Sequence, residues 1–153
     1  MKLAEWIESA AASAREVASS ALGATELGWA GPSAQAPPDE LCGIYIPLSM
    51  DGVALQLGVL ATRDVYAALA RALIGGDDLM DSDDDVFDAV GEITNLIAGG
   101  LEVSLGDRAN VRLGVPLAMK GRAFSPGGTQ SIHGVLRIDG GDVWLVLTGA
   151  RTG

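Results

Sequence analysis

Apolar residues recur at steps of three and four along three segments of the chain, and this spacing places them on one face of an α-helix. The first predicted helix covers residues 2–22, with Gly23 placed to end it. The second covers residues 62–74, begins at a threonine that can cap it and ends at a pair of glycines. The third covers residues 83–105, with Ser82 as its N-cap and three aspartates in the first turn, where the helix dipole favours negative charge.

Short apolar runs between turn signals predict β-strands in two blocks, one before the second helix and one after the third. Asp51-Gly52 is the strongest hairpin signal, and glycine-rich turns at 126–128 and 139–141 separate later strands. Residues 30–40, rich in proline and small side chains, predict a loop. Such blocks of helices and antiparallel-looking strands indicate an α+β fold, with an antiparallel sheet and the long helices packed on one face. The predicted strands cover residues 43–50, 53–61, 109–116, 117–124, 132–138 and 142–147.

The order of these elements repeats, which predicts a single domain over residues 1–153 made of two diverged halves, about 1–76 and 77–153. The first helix carries the tetrapeptide EVAS at 16–19, and the third carries EITN at 92–95. A glycine-led hairpin follows each helix later in the sequence. This repetition favours two pseudo-symmetric halves that arose by duplication. The alternative is a chance similarity between two amphipathic helices and two hairpins.

The chain is acidic, with 20 Asp and Glu residues against 10 Lys and Arg and a formal net charge of -10. This balance argues against a nucleic-acid or anionic-membrane surface, because phosphate groups are bound by clustered basic residues. Any partner should be neutral or locally basic. No apolar run reaches the roughly 18 residues of a membrane span, and charged residues interrupt the N-terminus where a signal peptide needs an apolar stretch. We therefore expect a soluble, cytoplasmic protein.

The sequence predicts no metal site and no nucleophile. A single cysteine, Cys42, and a single histidine, His133, exclude an internal disulfide, a thiolate cluster and a multi-histidine site. Aspartates at 81, 83 and 85, with Glu92, match ligand positions of a calcium-binding loop. That loop needs a glycine where this chain has Val86, a residue that resists positive φ, so we interpret the aspartates as helix-capping charge.

The third helix separates its residues into two faces at about 100° per residue. Asp88, Glu92, Asn95 and Gly99 fall on a narrow stripe, so a carboxylate and a carboxamide three residues apart are neighbours that point outward. A solvated helix face is the simpler interpretation of such a stripe. Glycines inside the helix, each costing about 1 kcal/mol relative to alanine, favour instead a face that another surface approaches closely. The opposite face comprises Val86, Val90, Ile93, Ile97, Leu101 and Ser104.

The spacing Asp88-x3-Glu92-x2-Asn95, with Pro116 following in the segment after the helix, resembles the signature of the CheC/CheX family of chemotaxis phosphatases. The resemblance covers nearly the whole chain, from the first helix to the last strands. CheX-type members carry one intact motif, and CheC-type members usually carry two. Ser19 stands where the first half would need its asparagine, so the resemblance is to a CheX-like, single-motif member.

This resemblance implies an enzyme that hydrolyses the phospho-aspartate of a CheY-type response regulator. Glu92 and Asn95 would be the catalytic residues. Glu92 would anchor the helix by pairing with a lysine near the regulator's phosphorylation site, and Asn95 would orient the attacking water. Asp88, Gly99 and Pro116 would contact the regulator.

The resemblance also implies that the chain has no cofactor or metal of its own, with Mg²⁺ bound by the regulator, and that it forms a homodimer. Exposed edge strands of the predicted sheet favour the same oligomeric state, because they need pairing or protection. Two alternatives remain open. The first is a catalytically silent module of the same fold that binds a regulator or a motility component. The second is an unrelated acidic binding domain.

Overall fold

Helices cover one face of an antiparallel sheet in the computed structural model, which describes residues 3–75, 82–120 and 129–150. Within these ranges the helices are α1 (Leu3–Ser20), α2 (Arg63–Ile74) and α3 (Asp83–Ala109). The α+β fold and the antiparallel sheet predicted from the sequence are confirmed. The strands are β1 (Leu27–Trp29), β2 (Cys42–Met50), β3 (Val53–Ala61), β4 (Arg112–Leu113), β5 (Leu117–Lys120), β6 (Thr129–Ile138) and β7 (Gly141–Ala150).

Two hairpins form the centre of the sheet. β2 pairs with β3 and β6 pairs with β7, and the two hairpins join through β3 and β7, always antiparallel. Both hairpin turns have two residues with positive φ, 52° and 78° at Asp51-Gly52 and 47° and 85° at Asp139-Gly140. These are the values of a type I′ turn, whose twist fits that of the flanking strands. The hairpin predicted at Asp51-Gly52 is therefore confirmed, and Gly141 belongs to β7 rather than to the second turn.

The outer strands of each hairpin pair with a segment from the other end of the chain. β1 pairs with β6, whereas β4 and β5 both pair with β2. An approximate twofold relation between two halves would produce this exchange of edge strands. The boundary between residues 76 and 77 lies outside the described residues, and the duplication itself stays a prediction.

Alternate residues of the central strands pack against the helices, and this layer is the main hydrophobic core. Tyr66 of α2 is fully buried there. Its hydroxyl donates a hydrogen bond to the Val59 carbonyl, and its ring meets Phe87 of α3 edge-on at 5.5 Å. Burial raises the pKa of Tyr66 well above the ordinary tyrosine value, so the hydroxyl keeps its proton. Tyr66 thereby ties α2 to the sheet and to the start of α3.

The segment after α3 departs from the prediction. The helix continues beyond Leu105 and ends at Ala109. It ends there because Asn110 adopts a left-handed conformation with φ 43°, and the Asn110 amide donates to the Gly106 carbonyl. Asparagine tolerates this conformation better than most residues, so it can end a helix as glycine does. The strand predicted over 109–116 is therefore wrong except at β4.

Smaller differences concern element lengths and one short strand. α1 ends at Ser20, two residues before the predicted end at 22. β5 covers the first part of the predicted strand 117–124. Residues 121–124 of the predicted strand lie outside the described ranges, as does the turn predicted at 126–128. β1 has no counterpart among the predicted strands, since three residues carry no recognisable alternation.

The predicted loop at 30–40 is confirmed, and it crosses to the face of the sheet opposite the described helices. The Ser33 amide donates to the His133 carbonyl at 2.8 Å, which fixes the loop against β6. Leu41, at the end of the loop, joins Tyr45, Leu60 and Val146 in a second, smaller buried cluster on that face.

Candidate functional site

The N-terminal end of α3 is held by a cap and by an ion pair to α2. The Ser82 hydroxyl accepts a hydrogen bond from the Asp85 amide at 3.2 Å, as the sequence predicts for an N-cap. The Arg63 guanidinium, one residue after the cap of α2, lies 2.6 Å from the Asp83 carboxylate. These contacts fix where α3 begins.

The buried face of α3 fixes how the helix is rotated. The face packs on the sheet and on α1, and it includes every residue predicted for it except Ser104. Ser104 is exposed, and its hydroxyl donates to the Leu101 carbonyl at 3.3 Å, because a hydroxyl at the margin of a face can bond to its own helix backbone. The buried residues are Val86, Ala89, Val90, Ile93, Thr94, Ile97, Ala98, Leu101 and Leu105.

Thr94 is the buried polar residue of this face. Its hydroxyl donates to the Val90 carbonyl at 2.8 Å, so burial leaves no unpaired donor. Ile93 and Thr94 both point inward, and the residues on either side of this pair, Glu92 and Asn95, therefore point outward.

The predicted polar stripe exists as a geometric feature. Asp88, Glu92 and Asn95 are exposed on the outer side of α3, and Gly99 is half-buried one turn further on. Residues three and four apart on a helix are surface neighbours, so the stripe is continuous. The Glu92 carboxylate can pair with a cation, and the Asn95 carboxamide offers both a hydrogen-bond donor and an acceptor beside it. The stripe is chemically suited to holding a basic group and a water molecule side by side.

The interior glycines of α3 have two different surroundings. A Cβ at Gly91 or Gly99 would meet no atom within 4 Å, so the space above the stripe is open. A Cβ at Gly100 would lie 2.1 Å from the Ser13 Oγ of α1, too close for two heavy atoms. The same Ser13 hydroxyl donates to the Ile97 carbonyl at 2.7 Å. Gly100 therefore accommodates α1 of the same chain, whereas Gly91 and Gly99 leave room for an outside surface.

Two apolar residues on the outer side of α3 were not among the predicted site residues. Leu96 is 46% exposed and Val103 is 86% exposed. Leu96 follows Glu92 by one turn, and Val103 follows Gly99 by one turn, so both border the stripe. Their signal in the sequence is a large apolar side chain on the polar side of an amphipathic helix.

Pro116 lies outside α3, half-buried in the bend between β4 and β5. The bend is positioned through Gly114, whose amide donates to the Pro47 carbonyl at 2.7 Å. A Cβ at Gly114 would lie 2.8 Å from Pro47 Cγ, so glycine is required for this approach. The structure thus places four of the five predicted site residues on one helix and the fifth on the sheet edge.

Other chemistry-bearing residues lie away from the stripe. Cys42 is a free cysteine at the start of β2, and His133 lies within β6 with its ring 6.1 Å from that of Trp144. Residues 3–75, 82–120 and 129–150 contain no group of three or more His, Cys, Asp or Glu side chains that could hold a metal ion, and Asp81 falls outside these ranges. In the same ranges no helix is both long enough and apolar enough to cross a bilayer.

Comparison with known proteins yields a family match by sequence. Residues 46–135, more than half of the chain, match the family model described as chemotaxis phosphatase CheX. This range contains Asp88, Glu92, Asn95, Gly99 and Pro116. No curated protein matches the chain.

Solved structures share the fold over nearly the whole chain. A crystal structure of a chemotaxis protein CheX from Desulfovibrio desulfuricans has a TM-score of 0.79 and 19% identity, covering 94% of this chain and 97% of that one. A CheX-CheY-BeF3-Mg complex from Borrelia burgdorferi gives 0.75 and 16%, covering 96% and 98%. The middle domain of FliM from Vibrio alginolyticus gives 0.62 and 11%, covering 95% and 90%. At such identities the likeness establishes the fold and not the activity.

Proposed function

Because the chain belongs to the CheX family of chemotaxis phosphatases, we propose that it hydrolyses the phospho-aspartate of a CheY-type response regulator. The observation that carries the proposal is the exposed pair Glu92 and Asn95 on one stripe of a helix whose rotation is fixed by its buried face. The crystal structure of a CheX-CheY-BeF3-Mg complex supports a CheY-type partner. Such a partner agrees with the expected cytoplasmic location.

The proposed reaction needs little from the chain beyond positioning. The oxygen of a water molecule attacks the phosphorus, the bond from phosphorus to the aspartyl oxygen breaks, and the products are inorganic phosphate and the aspartate carboxylate. Asn95 would orient the water, with its amide oxygen accepting a hydrogen bond and its amide nitrogen donating one. In this proposal the chain supplies no cofactor of its own, and Mg²⁺ held by the regulator would neutralise phosphoryl charge.

The direct test is the decay of a phosphorylated regulator. Each CheY-type regulator of the source organism is purified, phosphorylated and followed with and without the purified chain in the presence of Mg²⁺. We expect faster decay for at least one regulator at substoichiometric amounts of the chain. If the decay of every regulator is unchanged, the proposed activity is wrong.

Glu92 is proposed to anchor the regulator, and Glu92→Gln should separate binding from chemistry. The substitution removes the charge and keeps the shape, so we expect KM for the phosphorylated regulator to rise about tenfold with kcat changed less. Glu5→Gln, on an exposed carboxylate near the start of α1, is the matched control and should leave KM unchanged. Equal KM values for the two variants would remove Glu92 from the interface.

A catalytically silent binding module is the second candidate. In α1 the equivalent tetrapeptide keeps the exposed Glu16 but has Ser19 in place of asparagine, so the element is retained without the carboxamide. The FliM middle domain shares the fold at a TM-score of 0.62 without being named a phosphatase. A silent module would bind a regulator activated with beryllofluoride and leave the decay of the phosphorylated form unchanged.

We also propose that the chain forms a homodimer through the sheet edge made by β4 and β5. Along this edge Leu113, Val115 and Leu117 are 36%, 75% and 53% exposed, a row of apolar side chains beside strands that pair only with β2 among the described residues.

Val115→Lys is expected to weaken the dimer, because it places a charge in the apolar row of this edge. Light scattering over a concentration series measures the effect, and we expect at least a tenfold rise in the dimer dissociation constant. Ile74→Lys, at an exposed apolar residue of α2, is the control. A wild-type chain that is monomeric at high micromolar concentration contradicts the proposal.

A further inference from the structure

We propose that the groove between α1 and α3 is the second half of the regulator-docking surface and receives an apolar side chain of the regulator flanked by basic residues. The inference rests on the proposed function. It adds Leu96 and Val103 as contacts that determine affinity, beside the stripe of Glu92 and Asn95.

The groove is a cavity of about 560 Å³ on the outer side of the two helices. Its α3 wall includes Leu96, Gly100 and Val103, and its α1 wall includes Ala12 and Ser13. The contact between Gly100 and Ser13 draws the helices together at this point. The two apolar side chains of α3 consequently stand above a shallow floor of small residues.

The groove and the polar stripe are parts of one surface. Leu96 is the sequence neighbour of Asn95 and lies one helical turn after Glu92, and Val103 lies one turn after Gly99. A regulator that reached Asn95 would therefore also cover Leu96. Docking on the polar stripe would therefore also remove apolar surface of Leu96 from water, which favours binding.

Charge selects the occupant of the groove. Glu16 lines the α1 side of the groove, the exposed Glu92 lies one helical turn before Leu96 on the neighbouring stripe, and no lysine or arginine is among the described residues that line the groove. A partner with basic residues around its apolar side chain would complement this rim. A second copy of the chain, with its net charge of -10, would meet like charge there. The charge pattern therefore favours the regulator over self-association.

The test replaces both exposed apolar residues by glutamine, which is polar and favours helix, in the variant Leu96→Gln/Val103→Gln. Its probes are the phosphorylated regulator that the wild-type chain dephosphorylates and the same regulator activated with beryllofluoride and Mg²⁺. We expect KM and Kd to rise at least tenfold, with kcat at saturating regulator within about twofold of wild type. Ile74→Gln, at an apolar residue of α2 that is 42% exposed, is the matched control. Glu16→Gln should raise KM by a smaller factor.

The outcomes distinguish a failure of the proposed docking groove from a failure of the proposed activity. If the wild-type chain accelerates decay and the double variant has an unchanged KM, the groove is not part of the docking surface, and the proposed function still stands. A chain that neither binds nor dephosphorylates any regulator overturns both. A double variant that shifts the dimer equilibrium in light scattering and leaves regulator affinity unchanged identifies a second copy as the occupant, and it too overturns the inference.

Discussion

Asn95→Ala is expected to return the decay of the phosphorylated regulator close to its unassisted rate, a loss of about a hundredfold or more in kcat. The carboxamide would be the only group of this chain that orients the attacking water, and alanine has neither a donor nor an acceptor. Regulator binding should persist, since Glu92 and the apolar residues beside it are unchanged. The measurement is kcat and KM for the purified phospho-regulator.

Folding should not explain the loss. Asn95 is exposed and alanine is the better helix former, so thermal stability should hold or rise by a few tenths of a kcal/mol. Asn95→Gln keeps the amide but moves it by one methylene, and it should recover little of kcat if position is what matters. Ser19→Ala on α1, at the equivalent exposed position of the first half, is the control and should behave as wild type. A fully active Asn95→Ala protein would mean that another residue directs the water.

The parts of the fold that were predictable are those encoded within a few neighbouring residues. Hydrophobic spacing located all three described helices, and Asp51-Gly52 located the first hairpin, because a type I′ turn requires residues that accept positive φ. The stripe of Asp88, Glu92 and Asn95 follows from the same 3.6-residue period. These features need no knowledge of what the rest of the chain contributes.

The missed features depend on contacts between distant residues. β1 is defined by pairing with β6, and it is held there by Asp139, whose carboxylate accepts hydrogen bonds from the Thr25 and Glu26 amides at 3.0 and 2.8 Å. The Glu26 and Thr25 amides also lower the pKa of that carboxyl group, because they stabilise its charged form. Nothing in the sequence around Leu27–Trp29 indicates that this segment pairs with β6 or that Asp139 binds the residues before it.

The roles of the glycines were likewise beyond a local reading of the sequence. Periodicity places Gly99 on the outward stripe, but it cannot say that the adjacent Gly100 meets α1. The crossing of α1 and α3 decides this, and it also decides that Leu96 and Val103 line a groove instead of a solvated face. The candidate site was thus predictable as a stripe, and its surroundings were not.

The same substitution at these two glycines should have opposite effects on stability. Gly100→Leu forces a side chain into the contact with Ser13 and breaks the hydrogen bond from Ser13 to the Ile97 carbonyl. Overpacking and the lost bond together cost about 3 kcal/mol, against about 1 kcal/mol regained from helix propensity, so we expect a net loss of about 2 kcal/mol. For a chain of this length that is a fall of roughly 4–8 °C in Tm.

Gly99→Leu is the matched control for folding and at the same time a test of the interface. Its side chain enters open space, so Tm should hold or rise, because leucine is the better helix former. The same side chain projects above the stripe beside Asn95, where the regulator is proposed to approach. We therefore expect the KM of Gly99→Leu for the phosphorylated regulator to rise at least tenfold. Thermal melts and the decay assay on both variants measure the two effects. Equal Tm values would contradict the close crossing at Gly100, and an unchanged KM for Gly99→Leu would mean that the regulator docks elsewhere on the chain.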